Sequence, residues 1–136
     1  MPFVLDASIA ASWAFADENH PQATAAFTRI RDDEALVPTL WWFEVRNTLI
    51  VNERRGRIAA ADTSGFLRRL ARLRVSTDRT PEEADLLALS RRHRLTVYDA
   101  SYLELACRTG LPLATLDADL IRCCPVEGVA LLGDDA

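Results

Sequence analysis

Apolar residues fall in short blocks along this chain, and the blocks alternate between two periods. Phe3-Val4-Leu5, Ala35-Leu36-Val37, Leu111 to Leu116 and Val129 to Leu132 are brief, mostly apolar runs, and Leu73-Arg74-Val75-Ser76 alternates apolar with polar. Runs of that length, bounded by turn residues, read as buried strands. They predict strands over 2–6, 35–37 (ended by Pro38), 73–76, 112–116 and 129–132. Between them the apolar positions recur at helical spacing. Helices are expected over 8–15, 21–32, 39–55, 59–72, 80–93, 100–109 and 118–123. Pro21 suits a first helical position, and Gly56 and Gly110 suit helix ends. Thr80-Pro81-Glu82-Glu83 reads as a helix start, with Thr80 as cap and Glu83 closing a capping box. Strands alternating with helices predict an α/β fold of three layers, α/β/α, around a central parallel sheet of four or five strands.

The 136 residues carry no repeat, low-complexity stretch or linker, so one domain over 1–136 is expected. Hydrophobic residues make up 49% and charged residues 26%, an ordinary globular composition. No apolar run approaches the roughly 20 residues needed to cross a bilayer, so no membrane partner is expected. The start, Met1 to Asp6, has no basic segment and reaches an acid at once, unlike a signal peptide. The expected compartment is the cytoplasm. Cys107, Cys123 and Cys124 match no zinc spacing and read as small core or helix-surface residues.

Charge is unevenly spread. The net charge is −4, and every basic residue is arginine. From Arg54 to Arg94 there are 11 arginines and 5 acids, a net of +6; the remainder carries 5 arginines and 15 acids, a net of −10. A basic middle beside acidic flanks suits a phosphate backbone held near a cation. It equally suits solvated helix faces.

Asp6 closes the first apolar run, and Asp117 closes Leu111 to Leu116. A carboxylate at the end of a buried strand is delivered to the rim of a parallel sheet. Taken singly, Asp6, Asp99 and Asp117 each suit a helix cap. Glu44 differs, because it lies inside a helix between apolar neighbours, where a carboxylate needs a partner. If one fold gathers all four acids, their charge calls for a divalent cation.

The segments Leu-Asp-Ala-Ser at 5–8, Trp-Phe-Glu-Val-Arg-Asn-Thr-Leu at 42–49, Tyr-Asp-Ala-Ser-Tyr-Leu-Glu-Leu-Ala at 98–106 and Ala-Thr-Leu-Asp-Ala-Asp-Leu at 114–120 occur in this order. Together they resemble the PIN-domain family, and most of all its VapC toxins from bacterial toxin–antitoxin modules. The resemblance runs from Phe3 to about Leu132, and Trp13 followed by Asp17-Glu18 adds to it. It implies a PIN-like fold and an endoribonuclease that uses Mg²⁺ or Mn²⁺. By motif, Asp6, Glu44, Asp99 and Asp117 match the catalytic acids. Asp6, Asp99, Asp117 and Asp119 match metal-holding positions. Ser8 and Thr115 match hydroxyls near the metal, and Asn47 an asparagine one turn after the glutamate. The resemblance also implies an RNA substrate, a cognate antitoxin that docks an amphipathic helix, and a homodimer or toxin–antitoxin hetero-oligomer. A groove for that helix is expected from Trp41, Trp42, Ile50, Val51, Phe66 and Leu67.

Other chemistries fit less well. His20 and His93 sit in polar segments without a nucleophile nearby, and both are expected at the surface. No glycine-rich phosphate loop is present. Phosphotransfer receivers and haloacid-dehalogenase-type phosphatases need a lysine, and there is none. Two rivals stay open: a PIN module that binds RNA or protein without cutting, and a PIN-like nuclease for structured DNA.

Overall fold

The computed structural model describes residues 1–79 and 81–133. Its elements run β1 (Phe3–Leu5), α1 (Ala7–Ser12), α2 (Pro21–Arg29), β2 (Ala35–Pro38), α3 (Trp41–Arg54), α4 (Ala60–Leu70), β3 (Val75–Asp78), α5 (Glu83–His93), α6 (Val97–Thr109), β4 (Leu113–Ala114) and α7 (Ala118–Cys123). The strands form one four-stranded sheet in the order β3-β2-β1-β4, and every pairing is parallel. Helices cover both faces, giving three α/β/α layers: α6 packs on β1 and β2 and is backed by α5, while α2 packs on β4 and against α1. All three residues of β1 are fully buried, as a central strand with covered faces requires.

β1 lies between β2 and β4, so the chain first builds the sheet to one side and then returns to the other. Such a reversal leaves a crevice at the carboxyl ends of the two strands where it occurs. Here that place is the β1/β4 junction, where Leu5 is level with Ala114.

Several boundaries differ from the sequence reading. The strand expected at 129–132 shrinks to a single parallel bridge between Leu113 and Leu131. It is supported by Leu113 N–H donating to Ala130 O at 2.9 Å and Leu132 N–H to Leu113 O at 2.9 Å. β3 begins two residues later than expected, at Val75. α5 begins at Glu83, with Glu82 in the capping position and no side-chain cap; Thr80 lies outside the described residues. The Glu82 amide turns to Glu104 of α6 at 3.3 Å. α6 starts three residues early because the Thr96 hydroxyl accepts from Asp99 N–H at 3.0 Å and caps it. It stops at Gly110, whose φ of 69° is a left-handed conformation that glycine adopts without strain.

His93 is not a surface residue. It is 8% exposed and its Nε2 meets Glu127 Oε2 at 2.5 Å, because the turn after α7 folds back onto the end of α5. The hydrogen bond from the His93 imidazole, and then the Arg92 guanidinium, hold the Glu127 carboxyl below its usual range. Trp41 and Phe66, expected in a surface groove, are core residues at 6% exposure each. They lie on the inward stripes of α3 and α4, whereas Trp42, Phe43 and Ile50 remain exposed. Cys123 and Cys124 are buried and Cys107 is exposed, all three as free thiols.

Candidate active site

The sheet rim brings distant acids together through backbone register. Asp6 follows β1 directly, and its N–H donates to Ala114 O of β4 at 3.0 Å. Thr115, the next residue on β4's side, is thereby placed beside it. Thr115 Oγ1 donates to Asp6 Oδ2 at 2.7 Å, and Ser8 Oγ donates to the same oxygen at 2.7 Å. Both hydroxyls are themselves held: Asp117 N–H donates to Thr115 Oγ1 and Leu116 N–H to Ser8 Oγ, each at 3.0 Å. Asp6 sits at the N-terminus of α1 but makes no side-chain capping bond there. Its carboxylate is turned to the two hydroxyls instead. Asp117 does cap, accepting from Leu120 N–H of α7 at 3.0 Å through Oδ1, which leaves Oδ2 without that duty.

The other two acids come from helices. Glu44 stands in the first turn of α3 and Asp99 in the first turn of α6. Glu44 accepts a hydrogen bond from the Tyr102 hydroxyl at 2.5 Å. Tyr102 lies one turn after Asp99 on the same helix, so both side chains project from one face. Sequence reasoning gave Tyr102 no role. The signal available was that three-residue spacing, read against a glutamate in need of a partner.

The electrostatics show that these acids share a field. Burial raises the pKa of Asp6; the Ser8 and Thr115 hydroxyls pull it back in part, and Asp117 and Asp99 push it up further. Glu44 is raised by burial and by Asp6, Asp99 and Asp117, against the lowering effect of the Tyr102 hydrogen bond. Asp99 is raised by burial, then by Asp117 and Asp119, with Thr96 opposing. Each of the three therefore resists ionisation chiefly because water is withdrawn, and secondly because like charges face it.

The remaining sequence candidates fall at the margin. Asp119 is exposed and its Oδ1 faces Arg122 Nη2 at 3.4 Å; it acts on the site through its charge on Asp99. Asn47 is exposed on α3, and no hydrogen bond joins it to the acids among the described residues. Asn52, not singled out by sequence, is the buried asparagine of α3, accepting from Arg57 at 2.8 Å. Arg57 also reaches Asp17 at 3.2 Å and Glu18 at 3.4 Å, which fastens the α1–α2 loop to the α3–α4 turn. All eleven arginines from Arg54 to Arg94 are exposed.

The donor set suits a hard divalent cation, since every candidate ligand is an oxygen. Among the described residues, no three His, Cys, Asp or Glu side chains converge closely enough to grip an ion directly. Asp6 and Asp117 each commit one carboxylate oxygen to hydrogen bonds. Magnesium keeps several of its waters, so carboxylates spaced for contact through water suit it better than a tight protein cage.

Comparisons with known proteins place the chain in a family. A family model described as PIN domain matches residues 3–124. Ribonuclease VapC3 of Pyrobaculum aerophilum is 34% identical over 124 residues, covering 88% of this chain and 92% of that protein. The crystal structure of PAE2754 from Pyrobaculum aerophilum superposes with a TM-score of 0.69 at 24% identity, over 90% of this chain and 78% of that one. At that identity the superposition speaks for the fold.

Proposed function

Because this chain belongs to the PIN-domain family, among its VapC-type toxins, we propose that it is a metal-dependent endoribonuclease restrained by a cognate antitoxin. The observation that carries the reading is the gathering of Asp6, Glu44 and Asp99, with raised pKa values and Asp117 beside them, at the switch point of a parallel sheet. Asp6, Asp99 and Asp117 would hold Mg²⁺ or Mn²⁺, with Asp119 at the outer edge. When bound, such an ion lowers the pKa of a coordinated water and neutralises charge on a scissile phosphate.

The chain's own residues do the rest. Ser8 and Thr115 pin one Asp6 oxygen, so the second is left for the ion at a defined place. Glu44, with a pKa raised by burial and by its acidic neighbours, is a stronger base than an ordinary carboxylate and is suited to accept a proton from the attacking water. In-line attack on phosphorus with departure of the 3′ oxygen leaves a 5′-phosphate and a 3′-hydroxyl. The exposed arginines of 54–94 supply the phosphate-backbone contacts.

Trp42, Phe43 and Ile50 remain exposed on α3 beside this site. They suit the apolar stripe of an amphipathic antitoxin helix, from which a basic side chain would reach the acids. A homodimer or toxin–antitoxin hetero-oligomer would cover the same face. One domain over 1–136 acting in the cytoplasm fits these roles; no helix among the described residues is long and apolar enough to cross a membrane.

The test is cleavage of total RNA by the purified protein with Mg²⁺, with EDTA, and with Asp6→Asn, followed by sequencing of the RNA ends. New 5′-phosphate ends that require both Mg²⁺ and Asp6 support the reading. RNA bound but uncut in Mg²⁺ would replace it with a non-catalytic module, and cleavage restricted to DNA with a DNA nuclease.

A further inference from the structure

A hydroxyl buried among apolar side chains costs free energy unless it is matched, and a phenylalanine would fill the space of Tyr102 without that cost. Tyr102 is fully buried, yet its hydroxyl is matched: it donates to Glu44 Oε1 at 2.5 Å. A phenol has one proton to give, and this contact takes it.

The two partners stand on two helices that carry acids: Glu44 is on α3, and Tyr102 is on α6 one turn after Asp99. A glutamate side chain turns about three bonds, and here Asp6, Asp99 and Asp117 all repel it. Left to those charges it would swing toward water. We propose that Tyr102 is a positioning residue, whose hydroxyl holds the Glu44 carboxylate against its like-charged neighbours and locks α3 to α6 at the height of the acids. This rests on the ribonuclease reading for its catalytic consequence, though the clamp itself does not.

The experiment is a double-mutant cycle of Tyr102→Phe and Glu44→Ala, read twice: by steady-state kinetics on a cleaved RNA with Mg²⁺, and by thermal melts in EDTA. Tyr102→Phe keeps the ring and removes only the hydroxyl. The expected kinetic result is a fall in kcat of roughly ten- to a hundredfold with KM unchanged, as misplacement of a reacting group produces. In the Glu44→Ala background the same substitution should change kcat by less than about twofold, because the group it positions is gone. The melts should show the same coupling, with Tm lowered by about 4 °C alone and by about 1 °C or less in the Glu44→Ala background.

Three results would overturn the proposal: unchanged kcat in Tyr102→Phe, equal kcat losses in both backgrounds, or a rise confined to KM. Additive melting shifts would overturn the clamp as well. A wild-type protein that cuts no RNA, while the melts remain coupled, would sink the ribonuclease reading and leave the clamp supported.

Discussion

Thr115→Val removes one oxygen from the centre of the site and almost nothing else. Valine matches threonine in shape, and Thr115 is 2% exposed, so no cavity and no new surface arise. Two hydrogen bonds disappear: the donation to Asp6 Oδ2 at 2.7 Å and the acceptance from Asp117 N–H at 3.0 Å. A bond to an ionised carboxylate contributes about 2 kcal/mol, and a part-buried amide left without its acceptor costs about 1 kcal/mol. Together they give roughly 3 kcal/mol of destabilisation, or roughly 10 °C in Tm for a chain of this length. The loss should depend on pH in a definite direction. Asp6 has a folded-state pKa raised above its unfolded value, so the stability it contributes is full below the unfolded pKa and falls as pH climbs through the folded one. Thr115 opposes that rise, and removing it lifts the folded pKa further. The variant therefore loses more stability on deprotonation than wild type does, and the gap between their melting temperatures widens with pH. The assay is a series of thermal melts of both proteins in EDTA from pH 5 to 8. A gap below about 3 °C throughout, or one that narrows as pH rises, would refute the account of Asp6.

Asp99→Asn should melt higher than wild type in EDTA, because it removes one of the mutually repelling charges, and it should cleave no RNA; equal melting temperatures would deny that the acids share a field. Mg²⁺ at about a hundred times its Kd should stabilise wild type by about 2.7 kcal/mol through mass action and Asp99→Asn by clearly less, checked by melts with and without the ion. EDTA should halt RNA cleavage, with Mg²⁺ or Mn²⁺ restoring it; activity undiminished in EDTA would be the contrary result. Away from the site, Arg108→Ala should cost about 3 kcal/mol in urea unfolding, since Glu104, 2% exposed, loses its 2.7 Å partner and stays buried. That variant should keep its cleavage specificity, as α6 presents Glu104 to the start of α5 and to Arg108, which itself reaches Asp78 of β3, rather than to the acids.

What was legible in the sequence was local. The β1 run, the central α3 stretch before Gly56 and the α6 stop at Gly110 follow from short-range periodicity and glycine conformation, which need no knowledge of neighbours. The acids at the ends of the first and fourth strands were legible for the same reason: a parallel sheet must deliver both to one rim. The failures were places where a distant contact decides. The last apolar run became a lone bridge because only Leu131 comes level with β4. His93 was buried by Glu127, 34 residues away, and Trp41 and Phe66 were drawn inward by the packing of α3 and α4. The division of labour among the carboxylates was also tertiary. Nothing in Leu-Asp-Ala-Ser says that Asp6 forgoes its helix cap for a hydroxyl 109 residues on, or that Asp117 keeps its own. Strand register sets which hydroxyl meets which acid, and register is fixed by the whole sheet and its covering helices. The chain by itself named the acids; only the folded arrangement chose the hydroxyls, Tyr102 among them, that hold each one in place.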